Sequence, residues 1–358
     1  MKIIQVTPTL GYGDAVGNNV VAIDKLLKRN GYSCMVYSNS FDPRIPDSVE
    51  KKLINEWKAP KKDDILIYHI AAGWSEINKI IDAKCRKIAI YHNVTPPHFF
   101  KGYDNLAYKI CRKGVKEVKS LKDVFDYCIA DTEFNKQDLV SYGYGCPIDA
   151  VPILINFNDY AAEPSQEIIQ KYKDTEGTKI LFVGRIVPNK MYEDLIRSFY
   201  SYKKVYDPKA KLFLVGKYNE NDSYYKRLQD YIKELQLEDV YFSGHISFRD
   251  ILAYYSVADI FLCESEHEGF CVPLVEAMYF KVPIIAYDSC AVGETLGDGG
   301  VLINNKDSMF VASVINTIMQ DEQLIAQLKE KGTNRLKWFS NDRIEKELME
   351  RLNTFIKG

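Results

Sequence analysis

Residues 263–278 read Cys263-Glu264-Ser265-Glu266-His267-Glu268-Gly269-Phe270-Cys271-Val272-Pro273-Leu274-Val275-Glu276-Ala277-Met278. A short run, 259–264, reads as a strand that ends in this segment. A helical pattern, 273–280, follows it. Pro273 suits a first helical turn, because its φ is fixed and its missing N–H has no partner to lose there. The strand is apolar on both faces, as in a parallel sheet covered by helices on both sides. Free amides around Leu274 and Val275 then form a positive helix end suited to a phosphate. Glu268 lies in the loop before that end, and Glu276 lies about one turn inside the helix. Two carboxylates so placed can accept hydrogen bonds from hydroxyl pairs on either side of a bound diphosphate, one from a sugar and one from a ribose. Gly269 lets backbone approach a ligand closely. Taken singly, Glu268 reads as a solvated loop acid and Glu276 as an acid complementing the helix dipole. As a set they read as a site.

The same strand–loop–helix unit recurs outward in both directions. Strand-like runs at 2–7, 33–38, 64–70, 87–94, 127–131 and 150–155 alternate with helical patterns such as 18–29, 106–122 and 135–142. The alternation pauses over 156–165. It resumes with strands at 179–184, 211–216, 239–244, 259–264, 282–287 and 300–303. The helices of this second set fall at 192–206, 224–235, 248–255, 273–280, 309–319 and 322–331, and a last helix is predicted at 342–356. This pattern predicts an α/β protein of two consecutive doubly wound halves. In such sheets ligands bind beyond the carboxyl ends of the strands.

Composition narrows the class. The chain has 358 residues, 46% hydrophobic and 27% charged, which excludes a disordered or fibrous protein. A net charge of −2 argues against general nucleic-acid binding by bulk charge. The 8 cysteines include no C-x-x-C pair, and Cys34, Cys85, Cys128 and Cys263 lie in apolar runs. They read as reduced core thiols of a cytoplasmic protein rather than as a zinc or disulfide framework. The N-terminal apolar run is too short for a signal peptide, and no stretch approaches the ~20 apolar residues that span a bilayer.

Carboxylates beside an anionic diphosphate call for cations. Residues 182–190, Phe182-Val183-Gly184-Arg185-Ile186-Val187-Pro188-Asn189-Lys190, place them after the first strand of the second half. Arg offers a bidentate fork and Lys a compact point charge, and Gly184 permits the turn.

With Glu268–Glu276 joined to Gly-Arg-x4-Lys, the chain resembles the retaining glycosyltransferases of family 4, the glycosyl transferases group 1, which have the GT-B fold. The resemblance runs over essentially the whole chain and is most specific in the second half. It implies two Rossmann-like domains facing a cleft: 1–160 on the acceptor side, 161–338 on the donor side, and a helix over 339–358 crossing back to the first. It implies a nucleotide-sugar donor, a sugar or lipid-linked acceptor and no cofactor; a metal is not expected either, because no His/Cys/Asp cluster has ligand spacing. By resemblance, Arg185 and Lys190 hold the donor diphosphate, Glu276 the ribose and Glu268 the transferred sugar. Gly269, Phe270, Cys271 and Val272 line the sugar and phosphates through backbone, and His245 and Ile246 after Gly244 hold the base. Many relatives carry a second Gly where Cys271 stands. Transfer is described for the family as same-face attack, with the departing phosphate helping to deprotonate the acceptor.

The first half adds Gly13 and Gly17 in a GxGxxxG loop, which fails the dinucleotide fingerprint but by resemblance reaches the donor phosphates and acceptor. His92, before Asn93-Val94-Thr95-Pro96-Pro97, ends a strand where a relative's His contacts the donor sugar. His69 ends the preceding strand and is its rival. The segment 101–122 carries seven Lys or Arg over an apolar stripe. A solvated basic face is the weightier reading, and peripheral contact with anionic lipid on the inner membrane face the sharper one. Other classes stay open at this stage: a nucleotide-sugar epimerase or phosphorylase on the same fold, or a non-catalytic nucleotide-sugar-binding protein.

Overall fold

A computed structural model describes residues Met1–Lys357. The chain divides into two compact units. The first comprises Met1–Pro97, Leu106–Asn156 and everything from Phe339 onward. The second comprises His98–Asn105 and Phe157–Trp338.

The first unit is built on a seven-stranded sheet: β1 (Ile3–Val6), β2 (Cys34–Ser38), β3 (Lys51–Leu53), β4 (Ile65–Ile70), β5 (Arg86–Tyr91), β6 (Tyr127–Ala130) and β7 (Ile148–Ala150). The order is β3-β2-β1-β4-β5-β6-β7 and every pairing is parallel. β1, β2, β4 and β6 are buried along their whole length, which is why their sequences lack a polar/apolar alternation. Two details differ from the sequence reading. The short strand β3 carries Lys51 and Lys52 and gives no apolar signal. The last strand lies at Ile148–Ala150, and the apolar residues Val151, Ile153, Leu154 and Ile155 are buried beyond it. Apolar content alone cannot tell a strand from a buried extended tail.

The closing helix Asn341–Lys357 belongs to this first unit. Arg86 donates to the main-chain carbonyls of Phe355 and Ile356, each at 2.7 Å, at the helix end where carbonyls lack partners. The Phe355 ring stacks on Tyr127 with centroids 5.6 Å apart, and Tyr32 Oη donates to Asn353 at 2.7 Å.

The second unit carries six parallel strands: β8 (Lys179–Val183), β9 (Lys211–Val215), β10 (Val240–Phe242), β11 (Ile260–Cys263), β12 (Ile284–Tyr287) and β13 (Val301–Ile303). Their order is β10-β9-β8-β11-β12-β13. Phe182, Phe213, Phe261, Tyr192, Tyr202 and Tyr255 are fully buried here, so much of the chain's aromatic content is core. In each sheet the strand order reverses once, between β1 and β4 and between β8 and β11. Beyond the carboxyl ends of such neighbouring strands lies the crevice that a doubly wound sheet offers a ligand. Among the described residues no helix is long and apolar enough to cross a membrane.

Candidate functional site

In the second unit the loops after β8 and β11 meet. β8 runs into Gly184, over which Gly216 at the end of β9 passes so closely that a Cβ on Gly216 would lie 1.9 Å from the Gly184 carbonyl oxygen. The Tyr192 hydroxyl donates to that same carbonyl at 2.6 Å. Arg185 is exposed and Ile186 buried, so the loop is anchored by one side chain and presents the next. A single turn over Pro188–Lys190 then leads into helix Tyr192–Val205. Asn189 ties the turn to the β11 loop: its Nδ2 donates to the His267 carbonyl at 3.0 Å, and its own carbonyl accepts from Glu266 N–H at 3.0 Å.

This tether brings Lys190 Nζ to 2.5 Å from Glu268 Oε1. The side chains are 19% and 7% exposed. Burial works against the Lys190 ammonium, but the charge and hydrogen bond of Glu268, together with the neighbouring Cys271 and Cys263, hold the lysine above its ordinary value. His267, next along, is pushed down to about 4 by burial, against the opposing pull of Glu268. Its ring lies 6.2 Å from Phe99, which belongs to the 98–105 segment packed into this unit.

Cys271 caps helix Val272–Tyr279 with φ 70° and ψ 65°, the left-handed region. That conformation favours Gly. Cys271 nevertheless makes the same turn, with Gly269 and Phe270 leading into it. Leu274 is fully buried and Val272 half-buried. Glu276 is clamped by two tyrosines: Tyr160 donates to Oε1 at 3.0 Å and Tyr255 to Oε2 at 2.7 Å. Burial raises the Glu276 pKa, and the two hydroxyls pull it back toward the ionised form. Each oxygen keeps a second lone pair for a further donor. His245 is exposed and Ile246 half-buried, following the edge strand β10 and Gly244, two strands away from β8.

Among the described residues one trio has metal-ligand atoms within 4.8 Å of each other: Cys263, Glu268 and Cys271. The one carboxylate of that trio, Glu268, is paired with Lys190.

In the first unit, Asp14 caps helix Ala15–Arg29 by accepting from Gly17 N–H at 2.7 Å. Gly17 is required there, because a Cβ would lie 2.0 Å from the Gly11 carbonyl. Gly13 is exposed with φ +81°. His92 follows β5, as its position at a strand end predicts, but its ring turns inward and is 3% exposed. Its Nδ1 lies 2.7 Å from Asp131 Oδ2, and its Nε2 lies 3.0 Å from His69 Nδ1. The two rival histidines are thus partners in one array. The sequence reading missed Asp131, Gln5, Asn189, Tyr160 and Tyr255. For Asp131 a signal existed, since it too directly follows a strand. For the tyrosines there was none, because their roles depend on tertiary contacts over long separations.

Residues 164–335 match the family described as "Glycosyl transferases group 1". The chain is 28% identical over 193 residues to an O-antigen chain mannosyltransferase of Salmonella typhimurium, covering 54% of this chain and 51% of that one. Among solved structures, a sucrose-phosphate synthase of Thermosynechococcus elongatus superposes with TM-score 0.78 at 16% identity over 100% of both chains. HepE of Anabaena, in complex with UDP and glucose, superposes with TM-score 0.76 at 19% identity over 99% of this chain and 100% of that one. The chain spans about half or less of the length of the first curated relatives it matches. The chain thus carries a glycosyl transferases group 1 signature over residues 164–335 of its second unit, and its two parallel sheets have the fold of GT-B glycosyltransferase structures.

Proposed function

We propose that the protein is a retaining glycosyltransferase that moves a sugar from a nucleotide-diphosphate sugar to an acceptor hydroxyl, in the synthesis of cell-surface polysaccharide or glycolipid. The observation that carries the reading is the Lys190–Glu268 pair, held by the Asn189 tether at the junction of the β8 and β11 loops, with Arg185 exposed alongside in sequence. The UDP and glucose bound to HepE support a nucleotide-sugar donor, and the mannosyltransferase relative supports a hexose.

In this reading the chemistry is electrostatic. Charge develops on the leaving diphosphate, and cations already fixed in a partly buried site stabilise it with little reorganisation. Lys190 supplies a half-buried ammonium and Arg185 a fork. The amides that open helix Val272–Tyr279 add the positive end of a dipole. Glu268 accepts hydroxyl hydrogens of the sugar and Glu276 those of the ribose, each carboxylate being oriented beforehand by Lys190 or by the two tyrosines. No residue need act as covalent nucleophile, and no metal is required. The test is transfer by purified protein over a panel of UDP-, GDP- and ADP-sugars, first narrowed by thermal shift, since a bound donor stabilises by mass action. Full transfer in EDTA is expected. Transfer that vanishes in EDTA and returns with a divalent ion would overturn the metal-free mechanism.

A second reading concerns the membrane. Helix Asn105–Ser120 exposes Leu106 (68%) and Ile110 (38%), with Lys109, Arg112, Lys113 and Lys116 along the same helix. Apolar anchors with basic neighbours suit an anionic bilayer surface carrying a lipid-linked acceptor. Co-sedimentation with liposomes should rise with anionic lipid content. Binding indifferent to that content would refute it.

A further inference from the structure

Four neighbouring strands of the first sheet, β1, β4, β5 and β6, each contribute or lead into one member of a buried polar row: Gln5, His69, His92 and Asp131. Gln5 Nε2 lies 3.3 Å from the Val20 carbonyl, and Gln5 Oε1 lies 3.0 Å from His69 Nε2. His69 Nδ1 lies 3.0 Å from His92 Nε2, and His92 Nδ1 lies 2.7 Å from Asp131 Oδ2. Gln5 and His69 are wholly buried, and the His92 and Asp131 side chains are 3% and 5% exposed.

Proton positions in this row follow by counting. The Val20 carbonyl only accepts, so the Gln5 amide nitrogen faces it and the amide oxygen faces His69. That oxygen also only accepts, so His69 Nε2 carries a hydrogen. Burial, reinforced by His92, keeps the His69 pKa well below the ordinary value and its ring neutral. A neutral imidazole carries one N–H, so His69 Nδ1 is a bare acceptor. His92 Nε2 must then donate to it. The remaining proton lies on the line between His92 Nδ1 and Asp131 Oδ2. Wherever it sits on that line, both nitrogens of His92 are engaged inward.

We infer that His69 is a positioning residue which, with Gln5 and Asp131, locks His92 with its Nε2–H directed inward, so that His92 has no free lone pair to serve as a base. The His92 ring is sealed while the residue as a whole is half-buried. What His92 presents outward is therefore its main chain, at the carboxyl edge of the sheet. The next residue, Asn93, sits in the left-handed region at φ 72°, with its side chain donating to Asn135 Oδ1 at 2.8 Å and Asp138 Oδ2 at 3.2 Å. The row thus fixes a strained stretch of backbone rather than a reactive ring. The significance for sugar transfer rests on the proposed function. The proton order does not.

The experiment is long-range 1H–15N correlation NMR of the full chain labelled at histidine ring nitrogens, with the five histidines assigned by single His→Gln variants. His69 should show the neutral tautomer protonated at Nε2, and His92 should be protonated at Nε2. His69 protonated at Nδ1, or His92 bare at Nε2, would overturn the inference. Gln5→Leu removes the acceptor that sets the His69 tautomer and should change the His92 signature, although Gln5 makes no bond to His92. A folded Gln5→Leu protein with an unchanged His92 signature would also overturn it. If Gln5→Leu fails to fold, the wild-type spectrum decides alone. His69→Gln offers a carbonyl oxygen to His92 Nε2–H and should keep His92 protonated there. Loss of that proton in folded His69→Gln counts against the lock. Failure of transfer with every donor, beside the expected spectrum, would sink the function and leave the array standing.

Discussion

Both units gather polar side chains at the carboxyl ends of parallel strands, yet they use them in opposite ways. In the first, Gln5, His69, His92 and Asp131 hand hydrogen bonds to one another in a sealed row. Among the described residues only Asp131 Oδ1 in that row has no partner. In the second, Lys190 and Glu268 form a pair that is partly open to solvent, and Glu276 keeps lone pairs beyond its two tyrosines. A sealed network positions backbone; an open one has capacity left for a ligand. The difference teaches that a strand-end histidine and a strand-end lysine, alike in the sequence, have different work to do.

The largest effect that tests this contrast is on transfer. Lys190→Ala and Glu268→Ala should each lower kcat by roughly 10²–10³, the usual loss when one preorganised electrostatic contact is removed. Folding, read by circular dichroism, should persist. Near wild-type turnover in both variants would break the site assignment. A thermal double-mutant cycle sharpens the point. The double variant should be less destabilised than the two singles summed, because each single leaves a largely buried charge without its counterion.

The strength of this pair also marks how far the sequence could be read. The strand–loop–helix alternation made both sheets legible, because buried parallel strands are short apolar runs and their helices are amphipathic. The Glu268-to-Glu276 spacing and Gly184-Arg185 to Lys190 were legible because such residue types cluster after strands. What stayed hidden is tertiary. Nothing near Glu276 announces Tyr160, which is 116 residues away. Nothing near residue 98 announces that 98–105 packs with the second unit. The direction of the His92 ring depends on Gln5 in β1 and Asp131 just after β6, far apart in sequence, with β4 and β5 between them in the sheet to carry His69 and His92.

Proton linkage separates the units next. His267 and His69 are both held neutral by burial, their folded pKa values lying below the unfolded value of 6.5. Between folded and unfolded values the unfolded chain binds more protons, so stability is full above 6.5 and falls as pH drops through that window. For His267 the window runs from 6.5 to about 4 and is worth on the order of 3 kcal/mol. Glu264 acts at the other limb: buried beside Asp194, it is pushed up to about 8. Its contribution is full below the unfolded value of 4.5 and is lost as pH rises through about 8. Urea midpoints across pH should fall on both sides of a plateau, and His267→Gln should flatten the acid limb. An acid limb unchanged in His267→Gln would assign that limb to His69 and the first unit.

The tyrosine clamp is expected to come next in size. Tyr255→Phe removes a 2.7 Å hydrogen bond to a buried carboxylate and should cost about 1.5–3 kcal/mol. Tyr160→Phe, with the longer bond of 3.0 Å, should cost less. Equal effects would mean that ring packing, which both variants keep, and the hydroxyl bonds do not rank by length.

The smallest effect concerns Cys271, where two terms oppose each other. Its left-handed backbone costs a non-glycine residue about 1–2 kcal/mol, so Cys271→Gly relieves strain. The same change removes a buried side chain, 5% exposed, and its packing, and it adds backbone freedom to the unfolded chain. The net change should lie within about 1 kcal/mol, with donor binding retained, since the turn that carries Gly269 and Phe270 is kept. Cys271→Val supplies the contrast. A β-branched residue tolerates this conformation poorly, so it should lose more stability than Cys271→Gly despite filling the space better. If Val were the more stable of the two, packing rather than the left-handed turn would govern this position. The open site of the second unit would then be held in shape by its core, as the sealed row holds the first.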